Sequence, residues 1–240
     1  MTQERVLTLV DRVRERFDWR ANPYFTALAE RRFDHADFVE TQLQFYWAVT
    51  FFARPMELLV AKIPRPHQRV EVLRNVWEEH GEGNPRLTHT ATFAELLSRL
   101  GGLDDDAIDA RVLWPEVRAF NTTLVGACLL DEWIVGAATL GMIERMFTEM
   151  SGALGRGIVD NGWLPADRLI HYDLHEVLDV RHADDFFRAI ASGLGPDTDD
   201  YHVEQGLMMG ASVFLGLYEG LWRGRQRRWM RDHRAPHLRA

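Results

Sequence analysis

The stretch His175-Glu-Val-Leu-Asp179-Val-Arg-His182 places two imidazoles and a carboxylate at i, i+4 and i+7. At 100° per helical residue the three directions fall within an arc of about 60°, so all would project from one face of one helix. Two His and one carboxylate are a recurrent donor set for non-haem iron, and the same mixture suits manganese or zinc. A core helix rarely carries three ionisable groups on one face unless they are paired, solvated or bound to something. The chemistry this points to is metal-centred, and further donors must come from other helices.

Two segments offer them. In Glu78-Glu79-His80-Gly81-Glu82-Gly83-Asn84-Pro85-Arg86-Leu87-Thr88-His89, Glu79 falls near the end of one helix and His89 just inside the next. The intervening glycines let the chain bend without a Cβ clash. Glu82, seven residues before His89, is the competing ligand. In Gly136-Ala-Ala-Thr-Leu-Gly141-Met-Ile-Glu144, small residues would let another helix approach closely. Glu144 is then a carboxylate on an otherwise apolar helix, where it needs a cation or a metal. The candidate ligands are thus Glu79, His89, Glu144, His175, Asp179 and His182. Three carboxylates against two ferrous ions would leave a net charge of about +1, low enough to bury. His171 and Tyr172 lie on the edges of the same face, His171 as an alternative ligand or supporting group, Tyr172 as a hydrogen-bond donor or redox-active phenol.

The elements that must hold these residues are helices, because 3.6-residue periodicity dominates and alternating patterns are scarce. Helices are expected over 3–17, 23–31, 35–62 with a kink near Pro55, and 67–80. Another restarts at Asn84-Pro85 and runs to Leu100. Residues 115–159 read as two helices meeting near Leu130-Asp131. Pro165 opens the helix that carries the His/Asp cluster to about residue 190, and a last helix covers about 199–230. The chain is thus read as all-α, a bundle of seven to eight main helices beside the short 23–31, with no repeat or linker to divide residues 1–240 into more than one domain.

Composition narrows the function classes. The chain has 240 residues, and 36 acidic against 28 basic ones give a net charge of −8, which argues against nucleic acid as the main partner. Cys128 is the single cysteine, so neither an intrachain disulfide nor a cysteine-held cluster can form. No signal-peptide core follows Met1, and neither apolar run, Phe45–Ala53 nor Leu124–Met142 with its Asp131 and Glu132, reads as a membrane span. The expectation is a cytoplasmic protein. An arginine cluster, Arg223 to Arg234 around Trp222 and Trp229, is the one charge-biased stretch and reads as a solvated helix end.

The order Glu79…His89…Glu144…His175-x3-Asp179-x2-His182 on an all-α chain resembles the heme-oxygenase-like diiron oxidases and oxygenases, relatives of the thiaminase-like and pyrroloquinoline-quinone-synthase-like proteins. The resemblance covers nearly the whole chain, from Asn22-Pro23-Tyr24-Phe25 to the last helix. It implies a single heme-oxygenase-like bundle holding two iron ions that reduce O2, the co-substrate, to a bridging peroxo species. In that frame Glu79 and Asp179 bridge or switch denticity, His89, His175 and His182 are nitrogen donors, and Glu144 balances charge. A fourth carboxylate found in some relatives would fall at Ala53 and is not carried over. Trp47, Phe51 and Met56 are candidates for the substrate pocket. A small-molecule substrate and an external electron donor are the expected partners, and a homodimer stays open.

Other readings fare less well. A haem oxygenase would need a His in its first helix, but the first here is His35. A thiaminase-like hydrolase needs a nucleophilic Cys, and Cys128 sits in an apolar run that reads as packing. Similar enzymes either oxygenate an amine nitrogen or cleave C–C or C–H bonds to form alkenes. The Glu79–His89 spacing resembles the N-oxygenating branch. A metal-free binding or regulatory protein is the reading from another class, with the arginine cluster as its support.

Overall fold

Short polar side chains and prolines start the helices. Thr2, Asn22, Asp34 and Thr88 each accept a backbone N–H of the first turn that follows, at 3.0–3.3 Å. Pro23, Pro66 and Pro115 occupy first-turn positions, where a missing N–H costs nothing. In the computed structural model, which describes residues 2–195 and 200–231 apart from the side chains of 173–180, these starts give ten α-helices. They are α1 (Gln3–Arg16), α2 (Pro23–Ala29), α3 (His35–Lys62), α4 (Pro66–Glu79), α5 (His89–Gly101), α6 (Asp105–Asp109), α7 (Pro115–Leu129), α8 (Trp133–Asp160), α9 (His171–Gly193) and α10 (Tyr201–Gly224). Among the described residues the only β pairing is an isolated bridge between Arg111 and Met230.

The all-α expectation holds, with differences that have local causes. α5 begins at His89 rather than Pro85, because Gly81, Glu82 and Gly83 all take positive φ and Thr88 supplies the cap. α9 begins at His171, after a separate 3₁₀ turn at Ala166–Arg168. α6 is five residues long, too short for periodicity to reveal. α10 stops at Gly224, and the chain turns back so that the Arg231 N–H donates to the Ala110 carbonyl at 2.7 Å.

That return corrects, for Arg227 and Arg228, the reading of the arginine cluster as a solvated end. Arg227 grips Glu116 at 2.8 and 3.0 Å, and Arg228 reaches Asp37 at 2.7 Å. Arg228 and Arg111 both face Glu40, which is 3% exposed. Arg227 and Arg228 are thus paired with carboxylates of the bundle, while Arg223 stays exposed and Arg234 lies outside the described residues. Among the described residues, no helix is long and apolar enough to cross a membrane.

One contiguous core runs through the bundle, with α8 buried along most of its length. The small residues of α8 do allow close approach. Gly136 lies against the Ala127 carbonyl of α7, and Gly141 against Phe186 and Phe187 of α9. On another side of α8, a Cβ added to Gly206 or Gly210 of α10 would sit 2.5 Å from the Val135 or Thr139 carbonyl oxygen. α9 is thereby held across α8 and against α4, where the metal candidates converge.

Candidate metal centre

The last turn of α4 carries Glu78 and Glu79. The turn after it has φ of +68° at Gly81, +54° at Glu82 and +84° at Gly83, a left-handed run that reverses the chain. A Cβ on Gly81 would sit 2.7 Å from the Thr88 nitrogen, so glycine is required there for space as well as for φ. The result brings the His89 Nδ1 to 2.7 Å from a Glu79 carboxylate oxygen. Both are buried, at 8% and 7% exposure. Glu82 sits on the outside of the same turn and is exposed, so the structure joins Glu79, not Glu82, to His89.

α8 brings Glu144 and α9 brings His182 to the same point. One donor atom from each of Glu79, Glu144 and His182 lies within 4.8 Å of the others, and all three residues are buried. His182 Nδ1 is 3.8 Å from Glu144 Oε1. The His89 and His182 rings have centroids 6.4 Å apart. Four of the six sequence-predicted ligands therefore converge from four helices. His175 and Asp179 fall on α9 before His182, and their side chains lie outside the described residues.

Glu78 is not among the six candidate ligands read from the sequence. In the fold its carboxylate is 2.7 Å from His182 Nε2 and 2.6 Å from an Arg181 Nη2. Burial works against the charged form, but the hydrogen bonds from His182 and Arg181 outweigh it and hold the Glu78 carboxyl below its ordinary range. Glu78 accepts the Nε2–H of His182, which leaves Nδ1 as the ring nitrogen that faces Glu144. The signal was its adjacency to Glu79: two carboxylates about 100° apart on one helix can serve two neighbours.

The backbone of His182 is fixed as well. Asn75 of α4 donates its amide to the His182 carbonyl at 3.1 Å, and Gln68 donates to the Ala189 carbonyl at 3.3 Å. Asp185, fully buried, takes Arg74 Nε at 3.1 Å and also binds Arg188. Burial pushes the Asp185 carboxyl up despite the two guanidiniums.

A cavity of about 40 Å³ opens beside Glu79, His89 and Glu144. Its other walls are Phe45, Ala48, Val49 and Phe52 of α3, Phe120, Ile143, Phe147 and Phe214. Trp47, Phe51 and Met56 do not line it. Phe45, Ala48, Val49 and Phe52 follow i, i+3, i+4, i+7 spacing, while Trp47 and Phe51 lie about 100° or more around the helix from the centre of that stripe. Met56 continues the stripe one turn on and is fully buried.

His171 Nδ1 lies 3.0 Å from Thr92 Oγ1, with its ring 6.2 Å from that of His89. Tyr172 is 1% exposed, and its hydroxyl donates to Gln42 Oε1. Gln42 in turn donates to the Tyr24 hydroxyl at 2.8 Å. The Tyr172 ring stands 6.4 Å from that of Phe147, behind the cavity wall. Burial raises its pKa. Cys128 is buried too, its thiol pushed up to about 12 by desolvation, which suits packing and not nucleophilic chemistry.

The donor chemistry fits iron. Oxygen and nitrogen donors from two buried carboxylates and two histidines are a set that non-haem iron takes, and a cation offsets the cost of burying the charge.

Comparison with known proteins gives the same direction. A family model described as iron-containing redox enzyme matches residues 39–213. No curated protein sequence matches the chain. A CADD-like protein of unknown function from Nostoc punctiforme PCC 73102 superposes with a TM-score of 0.78 at 13% identity, covering 93% of this chain and 98% of that one. A TenA homologue from P. horikoshii OT3 gives 0.70 at 14% identity, covering 90% and 99%. A domain of unknown function with a heme oxygenase-like fold from Shewanella denitrificans OS217 gives 0.72 at 13%, covering 93% and 91%. At these identities the likeness is one of fold, and that fold is heme-oxygenase-like.

Proposed function

This chain belongs to the iron-containing redox enzyme family, and on that footing we propose that it is an O2-dependent diiron enzyme that oxidises a small molecule, with N-oxygenation of an amine as its reaction. The observation that carries the reading is the buried convergence of Glu79, Glu144 and His182, with His89 against Glu79, at the end of an apolar cavity. In this proposal Glu79, His89, Glu144, His175, Asp179 and His182 hold two iron ions. Bound iron supplies the one-electron chemistry that O2 activation needs and that protein side chains lack.

The chain's own residues do the rest. Glu78 fixes the tautomer of His182 by accepting its Nε2–H, so that Nδ1 faces the cluster. Asn75 and Asp185 keep the backbone of α9 in register with α4. Phe45, Phe52, Phe120, Phe147 and Phe214 exclude water from the substrate end and offer apolar contact. The ten-residue Glu79–His89 spacing resembles that of the N-oxygenating branch and favours an amine nitrogen as the position oxidised. An external donor returns electrons after each turnover.

The apolar lining also favours a second reading, oxidative cleavage of C–H or C–C bonds of a fatty or amino acid to form an alkene. Products separate the two: an added oxygen on nitrogen in one case, a lost hydrogen pair or carboxyl group in the other.

The deciding experiment is anaerobic Fe(II) titration followed by rapid mixing with O2, for the native chain and His182→Ala. Uptake of two irons and a transient visible absorption, both impaired in the variant, support the proposal. Absence of iron uptake, or identical behaviour of the two proteins, refutes it and returns the chain to a metal-free binding or regulatory role.

A further inference from the structure

α4 is amphipathic in the wrong sense. Its inward residues, Gln68, Val72, Asn75 and Glu79, are buried and mostly polar. Its outward residues Val70, Leu73 and Trp77 are apolar and 60%, 48% and 56% exposed. At 100° per residue each set spans an arc of about 60°, and the two lie on opposite sides of the helix. A surface helix ordinarily shows the reverse. Leu87, 57% exposed, lengthens the stripe: its backbone packs against Gly81, at the end of α4, and the Trp77 ring covers Gly83.

We propose that this stripe is where two copies of the chain associate, α4 against α4, antiparallel about a twofold axis. Positions 70, 73 and 77 have the 3–4 spacing of a helix–helix seam. A twofold contact requires a patch that complements itself. With the axis between Leu73 and Arg74, Val70 of one copy opposes Trp77 of the other, small against large, and both Leu73 side chains meet at the centre.

Charge agrees with this register. Arg65 stands at the N-terminal end of α4 and Glu82 just past its C-terminal end, both exposed. Neither forms an ion pair among the described residues. Antiparallel pairing about the same axis brings Arg65 of each copy to Glu82 of the other, once at either end. The four apolar side chains would form the centre of an interface that needs about 800 Å² from each partner. The inference is independent of the iron reading, since none of these residues belongs to the donor set.

Sedimentation velocity of the full chain between about 1 and 100 µM tests it. The expected result is a concentration-dependent dimer. Leu73→Arg, which sets like charges at the axis, should weaken it at least 100-fold with circular dichroism and melting unchanged, and Trp77→Gln should weaken it independently. Glu82→Arg should cost about tenfold, and the swap Arg65→Glu with Glu82→Arg should restore association. A monomer at every concentration, or an assembly that neither Leu73→Arg nor Trp77→Gln disturbs, overturns the proposal and leaves the stripe to a different protein.

Discussion

Where α8 meets α10, glycines let two backbones touch; where α4 meets α9, polar side chains make the join. At the first seam Gly206 and Gly210 lie against the Val135 and Thr139 carbonyls, and the Thr139 hydroxyl donates to Val135 and Gly206 oxygens at 2.8 and 3.2 Å. At the second, Asn75, Gln68, Arg74 and Glu78 each reach across to α9. The glycine seam is made by backbone contact and tolerates no added volume. The polar seam is a weaker source of net stability, because each buried charge loses its hydration before it gains a partner. What it gives instead is a single register of α9, with His182 held at ring and backbone. One seam supports; the other aims.

Substitutions can break this division. Gly210→Val should be the most damaging, since its Cβ meets backbone 2.5 Å away that cannot move aside. A loss of about 3 kcal/mol, or a melting temperature lower by about 6–12 °C, is expected in thermal melts. Asp185→Asn should cost about 2 kcal/mol by denaturant titration, less than a fully buried pair, because Arg74 and Arg188 are 41% and 38% exposed. If Asp185→Asn proved the more destabilising of the two, the roles assigned to the seams would be reversed.

Glu78→Gln sharpens the contrast by acting on both stability and iron. It should cost the apoprotein about 1–2 kcal/mol, because hydrogen bonds from His182 and Arg181 hold its charge, and should lower iron affinity about 10-fold or more, read by competitive chelation. An unchanged affinity would reduce Glu78 to an ordinary ion pair. The smallest effect belongs to the surface clamp of Arg227 on Glu116. Burial opposes the Glu116 charge, yet the Arg227 hydrogen bonds prevail and its pKa is lowered from 4.5. The stability it lends is therefore full above about pH 4.5 and lost as pH falls through the depressed value. Glu116→Gln should remove about 1 kcal/mol near neutrality and flatten that part of the acid limb in a pH series of urea melts.

The division also explains what could be read in the sequence. Helix starts at Pro23, His35 and Pro115 were legible because caps and prolines act locally. Glu79, His89, Glu144 and His182 could be singled out because an ionisable group on an apolar face needs a reason. Glu78 offered only its adjacency to Glu79, since its role depends on α9 arriving about 100 residues later to present His182 and Arg181. The cavity wall was missed by one helical position: Trp47 and Phe51 are as apolar as Phe45 and Phe52, and only the seating of α3 against α5, α7 and α8 chooses between the stripes. Asp185 has no local signature, because its two arginines come from different helices.

The left-handed turn at Gly81–Gly83 also sets an order of events in folding. Glu79 and His89 are ten residues apart, whereas Glu144 and His182 lie 65 and 103 residues beyond Glu79. Loops of about ten residues close in roughly 10–100 ns, far faster than distant segments find each other. A nascent chain thus pairs the first carboxylate with the first imidazole as a local event, and the rest of the donor set waits on the docking of α8 and α9.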